Sequence, residues 1–452
     1  MNKKKRELFF QELSMPDKID IATRWLRPGL GIKRWLILLY IGFTILALGF
    51  ALLLRDLYGS SGYPDWIHLL ALQFWARWLR ATIFSTIGFG LIGFSLYRIN
   101  QTLIRAFLQR QTDAAEVAEM LHTARRRRKG PKVVTIGGGT GMSVLLRGLK
   151  KYTDNITAIV TVADDGGSSG RLRHSLGVLP PGDFRNCIAA LADDEALTTQ
   201  LFQYRFARTG GEENGLGGHS FGNLFITSMA AVTGSFEKAL VESGKVLAIR
   251  GQILPSTLKD VTLYADMTAA EGVTQVRGES AIPHAPYPIE RVYLDPDNPP
   301  AYPVAVKAIL EADLIVLGPG SLFTSVLPNL LVPEIAQAVR VSQASKIYIC
   351  NIATQKGETD DFTLADHIRA LEIHVGPDFF SYIMANNNFS HSLPASLGRN
   401  LVIPTLPDKM RYYLVEADVI DESEPWQHDS EKLAKELITW YQMEMQRRVS
   451  PV

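Results

Sequence analysis

The residues best suited to chemistry lie in six short runs rich in glycine, hydroxyl, amide or acid groups. Gly137-Gly138-Gly139-Thr140-Gly141 follows the apolar run VVTI and opens a helical stretch. Glycine lets a backbone approach a ligand closely, and a helix start offers free N–H groups to an anion. No Lys-Ser or Lys-Thr pair follows, so this is not a Walker loop. Met142 stands where the last glycine of the dinucleotide fingerprint should be. The second run is Asp164-Asp165-Gly166-Gly167-Ser168-Ser169-Gly170-Arg171. Adjacent carboxylates repel, so a cation or donor is expected beside them. Asp164 also falls 23 positions after Gly141, a spacing that suits an acid on a ribose and hence a nicotinamide oxidoreductase.

The third run, Pro180-Pro181-Gly182-Asp183-Phe184-Arg185-Asn186, adds an acid and a phosphate partner, Arg185. Asp183 with Asp165, or with Asp164 as the other choice, would form an oxygen site for Mg²⁺. The fourth, Gly217-Gly218-His219-Ser220-Phe221-Gly222-Asn223, sets a His in a glycine-dense loop, as a general acid or base or as a merely hydrogen-bonded ring. The fifth, Gly318-Pro319-Gly320-Ser321, again follows a strand-like run and fits phosphate or sugar. In the sixth, Asn351 to Thr359, the amides of Asn351 and Gln355 can read a base edge or sugar hydroxyls. Asp165, Asp183 and His219 are the candidates for catalysis.

Positioning these loops requires a particular scaffold. VVTI (133–136), ITAIVTVA (156–163), DLIVLG (313–318) and KIYICNI (346–352) read as buried strands. Helical stretches near 142–151 and 329–342 separate them in pairs. That alternation predicts an α/β fold, a Rossmann-like parallel sheet with helices on both faces. Ligands in such folds sit at the carboxyl ends of the strands, where the glycine loops fall. Two cysteines, Cys187 and Cys350, exclude a disulfide scaffold.

The net charge of +1 conceals a split. Residues 1–132 hold 21 Lys and Arg against 9 Asp and Glu, and the rest hold 26 against 37. The basic part contains two apolar runs. Residues 35–54 give 20 uncharged positions and 81–97 give 17. About 20 residues cross a hydrocarbon core, so a transmembrane hairpin is expected, with 66–80 lying at the interface. Lys and Arg flank the hairpin on both outer sides, which places both termini and the following domain in the cytoplasm. A helical linker should run from 99 and end on Arg125–Lys129, a basic run suited to solvent or anionic lipid. No aromatic residues interleave those arginines, which argues against nucleic acid. The expected divisions are an anchor at 1–98, a linker at 99–131, a nucleotide-binding domain at 132–425 and a C-terminal helix at 426–452. That helix packs on the body or mediates homo-oligomer assembly.

Taken in order, GGGTG, DDGGSSGRLR, PPGDFRN, GHSFGN, GPGSLFTS and NIATQKGET are similar to the motifs of the gluconeogenesis factor family (YvcK-like). That family is related to the 2-phospho-L-lactate transferases (CofD-like). The resemblance spans about residues 132–420. It implies a modified Rossmann-like domain and binding of a UDP-sugar such as UDP-N-acetylglucosamine. It also implies a role in cell shape and envelope synthesis on gluconeogenic carbon, with envelope-synthesis enzymes as partners. The transferase relatives imply a guanosine diphosphate-type donor and a divalent metal. By this resemblance Gly137–Gly141, Gly318, Gly320 and Ser321 hold the nucleotide, and Asn351, Thr354 and Gln355 lie near its base or sugar. Asp164, Asp165, Gly166, Gly167, Ser168, Arg185, Asn186, His219 and Asn223 complete the nucleotide-sugar set, and Asp165 and Asp183 match the metal acids. Ala353 departs from the Met usual in the family. The hairpin rests on hydropathy alone. The reading is thus a membrane-tethered nucleotide-sugar binding protein, with a metal-dependent phospho-group transferase and a nicotinamide oxidoreductase as alternatives.

Overall fold

The computed structural model describes residues 125–193, 195–207, 215–269, 272–407 and 411–449, with a few isolated positions before them. The chain divides into two units, Met1–Arg125 and Arg126–Val452. The expected spans at 35–54 and 81–97, the interfacial stretch and most of the linker helix lie, but for isolated residues, outside the described residues. Among the described residues no single helix is long and apolar enough to cross a membrane.

The second unit alternates strands and helices. In chain order the strands are β1 (Val133–Gly137), β2 (Ile156–Val160), β3 (Gln252–Pro255), β4 (Thr262–Ala269), β5 (Gly272–Arg277), β6 (Ile289–Asp295), β7 (Leu314–Leu317), β8 (Ser345–Ile349), β9 (Tyr382–Asn386) and β10 (Tyr413–Ala417). The helices are α1 (Gly139–Leu149), α2 (Gly167–Leu176), α3 (Gly182–Leu191), α4 (Glu195–Gln203), α5 (Phe221–Thr233), α6 (Phe236–Val246), α7 (Pro303–Leu310), α8 (Leu327–Leu330), α9 (Pro333–Val341), α10 (Leu364–Val375) and α11 (Ser430–Val449).

The main sheet is wholly parallel, in the order β10-β9-β8-β7-β1-β2-β3. Its central strands β1, β2 and β7 are buried along their whole length, as a sheet covered on both faces requires. Side chains such as Ile136, Ile159 and Ile315 are fully buried. Burying each contributes about 1.5–3 kcal/mol. The chain winds outward one way through β1, β2 and β3, then returns to β7 and winds the other way. The reversal falls between β1 and β7, and ligands of doubly wound folds bind at that point.

Between the two halves β4, β5 and β6 form a small antiparallel sheet in the order β5-β4-β6. Leu263, Ala265, Met267, Val292 and Leu294 are buried beneath it. This sheet was not among the expected elements. Two boundaries also differ from expectation. The strand starting at Ile156 stops pairing at Val160, although Thr161 to Ala163 remain buried. The expected helix at 329–342 breaks before Pro333, because proline has no N–H to continue the preceding turn.

The C-terminal helix α11 covers Ser430–Val449 and packs on the body. A side chain at Gly148 of α1 would strike the Ser430 carbonyl of α11, so the two helices touch backbone to backbone. Leu433, Ala434 and Leu437 are fully buried at the start of α11. The basic run also touches the domain, since Arg127 Nε donates to Asp154 Oδ1 at 3.2 Å.

Candidate functional site

The site begins where β1 and β7 end side by side. The Gly318 N–H donates to the Ile136 carbonyl at 2.9 Å, which aligns the two glycine loops. A Cβ on Gly141 would lie 2.8 Å from the Pro319 oxygen and 2.9 Å from the Gly320 nitrogen, so only glycine permits this approach. Gly139 has a φ of +66°, and α1 starts there without a side-chain cap from Gly138. Asp183 on α3 supplies the missing acceptor, taking the Gly139 N–H.

On one side of these loops lies a cavity of about 360 Å³. Gly139, Thr140, Gly141, Gly320 and Ser321 form its floor, and Asn351 to Ala353 with Gln355 form a wall. Asn351 clasps the fifth loop, accepting from the Gly320 N–H at 3.2 Å and donating to the Gly320 carbonyl at 2.9 Å. It also donates to Gln355 Oε1 at 3.2 Å, and Gln355 Nε2 reaches Ser321 Oγ at 2.7 Å. The amides thus hold the loop, with lone pairs and hydrogens left for a ligand. Thr354 is one step back from the cavity. Its hydroxyl accepts from the Asn400 N–H at 3.0 Å and thereby fixes the segment that carries Arg399.

Arg399, Trp426, Gln427 and His428 also line the cavity, and sequence reasoning missed all four. Burial pushes the His428 imidazole down to about 4, so it is neutral at physiological pH. Its Nε2 has no hydrogen-bond partner. No glycine cluster or strand end marks these residues, and only the packing of α11 on α1 brings them here.

On the other side of the first loop the site is charged. Asp164 accepts from the Gly166 N–H at 2.9 Å. Burial, opposed by bonds from Gly166 and Ser169, raises its carboxyl, and Asp165 adds repulsion. Burial and then repulsion from Asp164 push Asp183 up to about 6. Asp165 turns away to the small sheet, accepting from the Ser280 N–H at 2.9 Å. The closer electrostatic neighbour of Asp183 is therefore Asp164, the second choice from sequence. Glu279, from the loop after β5, was not foreseen. Burial and then Asp164, Asp183, Glu358 and Asp165 push it up to about 8. Burial raises Glu358 to about 7, although Thr324 Oγ1 donates to its Oε1 at 3.0 Å. Its Oε2 has no hydrogen-bond partner.

Among the described residues no three acidic, His or Cys side chains converge on one ion-sized point. Mg²⁺ needs no such cage, because it takes one or two carboxylates and keeps waters or substrate phosphates. Hard oxygen donors that repel one another fit that ion, and Asp183 with Asp164 would hold it beside the glycine loop. It would supply charge to phosphate oxygens there.

Beyond the acids lies a polar network. Ser168 Oγ sits 3.0 Å from His219 Nδ1 and accepts from Asn223 Nδ2 at 3.0 Å. Arg185 Nη1 donates to Ser220 Oγ at 2.7 Å, and its Nη2 to Asn186 Oδ1 at 2.9 Å. Ser220 caps α5. Burial and then Arg171 lower the His219 imidazole, which favours its neutral form. The fold therefore brings most of the sequence-predicted site residues to one rim in two groups, with Asp165 turned to Ser280 and Thr354 set one step back. Gly139 to Gly141, Gly320, Ser321, Asn351 and Gln355 border the cavity. Asp164, Asp183, Ser168, Arg185, Asn186, His219 and Asn223 form or adjoin the charged end.

Comparison with known proteins bears on the family and the fold. The sequence profile of the family described as 2-phospho-L-lactate transferase CofD matches residues 133–445. A protein named gluconeogenesis factor from Bacillus subtilis (strain 168) is 51% identical over 60% of this chain and 82% of its own length. Another of that name, from Halalkalibacterium halodurans, is 44% identical over 69% of this chain and 96% of its own. A relative from Nostoc sp. is 45% identical over 94% of this chain and 93% of its own. A crystal structure of a UPF0052 family member from Bacillus halodurans superposes with a TM-score of 0.62 at 42% identity, covering 69% of this chain and 99% of that one. The chain belongs to the CofD family, and within it to the group of the gluconeogenesis factors.

Proposed function

We propose that the domain binds a nucleotide sugar of the UDP-N-acetylglucosamine class, with its diphosphate against the two glycine loops and its base or sugar in the amide-walled cavity. One observation carries this reading. At the point where the sheet reverses, the first turn of α1 and the Gly320-Ser321 backbone face a cavity of about 360 Å³ whose walls hold Asn351 and Gln355. A helix start between two glycine loops suits a diphosphate, and amides suit a base or sugar. A cavity of that size is within the range of small-ligand sites, roughly 300–1,000 Å³.

The test is calorimetry on the purified full chain with UDP-N-acetylglucosamine, GDP and NAD, each with and without Mg²⁺. Saturable binding of the UDP-sugar is expected. Binding of NAD alone would sink the reading in favour of a dehydrogenase. We further propose that the basic N-terminal hairpin tethers the domain to the cytoplasmic face of the cell membrane, beside envelope-synthesis enzymes. Deleting residues 1–98 should then release the protein to the soluble fraction.

A second reading is a metal-dependent transferase of phosphorus-containing groups. The repelling carboxylates Asp164 and Asp183 next to the glycine loop favour it. Metal-dependent GDP binding, with a product that disappears in Asp183→Asn, would move it to first place.

A further inference from the structure

We infer that Arg171, Arg185 and Arg205 form a second anion site, for a phosphate group bound beside the nucleotide rather than as part of it. The inference goes beyond the nucleotide-sugar reading and does not depend on it. Arg185, on α3, is 6% exposed. Its Nη groups contact only neutral oxygens, those of Ser220, Asn186 and Asn223. Its Nε is buried with no hydrogen-bond partner. Arg171, on α2, donates through Nη2 to the Gly217 carbonyl at 2.9 Å. Arg205, just after α4, donates through Nη1 to the Gly218 carbonyl at 3.4 Å. A guanidinium carries five N–H donors, so each keeps most of its capacity.

Among the described residues none of the three pairs with a carboxylate. Other arginines of the domain also lack an acid partner, as Arg277 and Arg340 do, but those two lie over the aromatic rings of Tyr264 and Phe379. Arg173, two positions after Arg171 on the same helix, meets Asp260 at 2.5 Å, and Arg127 and Arg250 also have acidic partners. The three unpaired arginines also feel one another's surroundings. Burial and then Arg205 lower the Arg185 guanidinium to about 10, against the pull of Asp183 and Asp164, and Arg171 lowers His219. Asp183 and Asp164 favour the charge of Arg185 without touching it, and holding a guanidinium nine-tenths buried with no acid in contact is costly, so the arrangement points to an anion that arrives with a ligand. Three guanidinium groups match a phosphate dianion better than a carboxylate, in charge and in number of acceptor oxygens. Ser168 and the neutral His219 border the same place. None of the three arginines lines the nucleotide cavity.

The experiment is a titration of the full chain with inorganic phosphate, alone and with saturating UDP-N-acetylglucosamine. Saturable phosphate binding that persists with the nucleotide sugar present is expected. Arg205→Gln and Arg171→Gln should each weaken it about tenfold, and Arg205→Lys should retain it within about threefold, because charge is kept. Competition between phosphate and the nucleotide sugar would overturn the inference, as would phosphate binding indifferent to both glutamine variants. Acetate provides the carboxylate arm, and equal affinity for acetate and phosphate would overturn the phosphate assignment. If UDP-N-acetylglucosamine itself fails to bind, the functional reading falls. The arginine dependence of phosphate binding then still decides this inference.

Discussion

The two sides of the first glycine loop solve opposite problems. The cavity side is built of backbone and neutral amides whose hydrogen bonds largely close on one another, from Asn351 to Gly320 and from Gln355 to Ser321. The far side collects charges that do not close. Asp164, Asp183 and Glu279 repel one another, and Arg171, Arg185 and Arg205 have no acidic partner in contact among the described residues. A self-satisfied surface is rigid before its ligand arrives, and that suits recognition. A surface of uncompensated charge is stabilised by what it binds, and that suits ions and phosphates. The same fold holds both because α1 lies between them, showing its first turn to the cavity and one N–H to Asp183.

The largest break in this comparison should come from Gly141→Val. Its side chain would force the two glycine loops apart at the Pro319 oxygen and Gly320 nitrogen. A loss of about 2–3 kcal/mol in stability is expected, with nucleotide-sugar binding abolished. Denaturant unfolding and calorimetry check it, and wild-type binding by this variant would refute the close-approach argument.

Asp183→Asn tests the charged side. An acid raised in the folded state keeps its proton longer there than when unfolded. Its contribution to stability therefore falls as pH rises from 3.8 to about 6, then levels off. The variant should gain on the wild type across that window, by about 3 kcal/mol above pH 6. Mg²⁺ should raise the wild-type melting temperature above pH 6 and leave the variant unmoved. Parallel stability curves for the two proteins would show that repulsion at Asp183 is not the source.

On the cavity side, Gln355→Ala and His428→Ala should each weaken the nucleotide sugar about tenfold, or ~1.4 kcal/mol, with little change in pH dependence. His428 stays neutral above about 4, so a titration near 6.5 in the affinity would contradict its placement. The smallest effect expected is from Ala353→Met, which narrows the cavity wall. A change within about threefold, measured in the same calorimeter, would sharpen the view that this wall tolerates side-chain size.

Much of the scaffold was legible because parallel strands buried on both faces must be apolar throughout. VVTI, ITAIV and LIVL carry that mark, as does IYI after the half-buried Lys346, and the glycine runs directly after the first and third locate the carboxyl end of the sheet. In the small sheet, β4 alternates buried residues, Leu263, Ala265 and Met267, with half-buried ones, and it was not anticipated because it lacks the all-apolar run of the central strands and holds no site motif. The choice between Asp164 and Asp165 was open for a physical reason. Neighbouring side chains leave the backbone in different directions, and only the position of Ser280 shows which one turns away.

What the sequence determined by itself was local. Glycine after a strand, paired acids and amide-rich turns follow from steric and chemical properties of a few adjacent residues, and they single out loops at the carboxyl ends of the strands. Tertiary structure decided which loops meet and what else joins them. Glu279 reaches the acids from an inserted sheet, and Trp426 to His428 reach the cavity because α11 packs on Gly148 of α1. Those meetings depend on contacts between residues hundreds of positions apart, whose energy lies in packing and leaves no mark at either end of the contact.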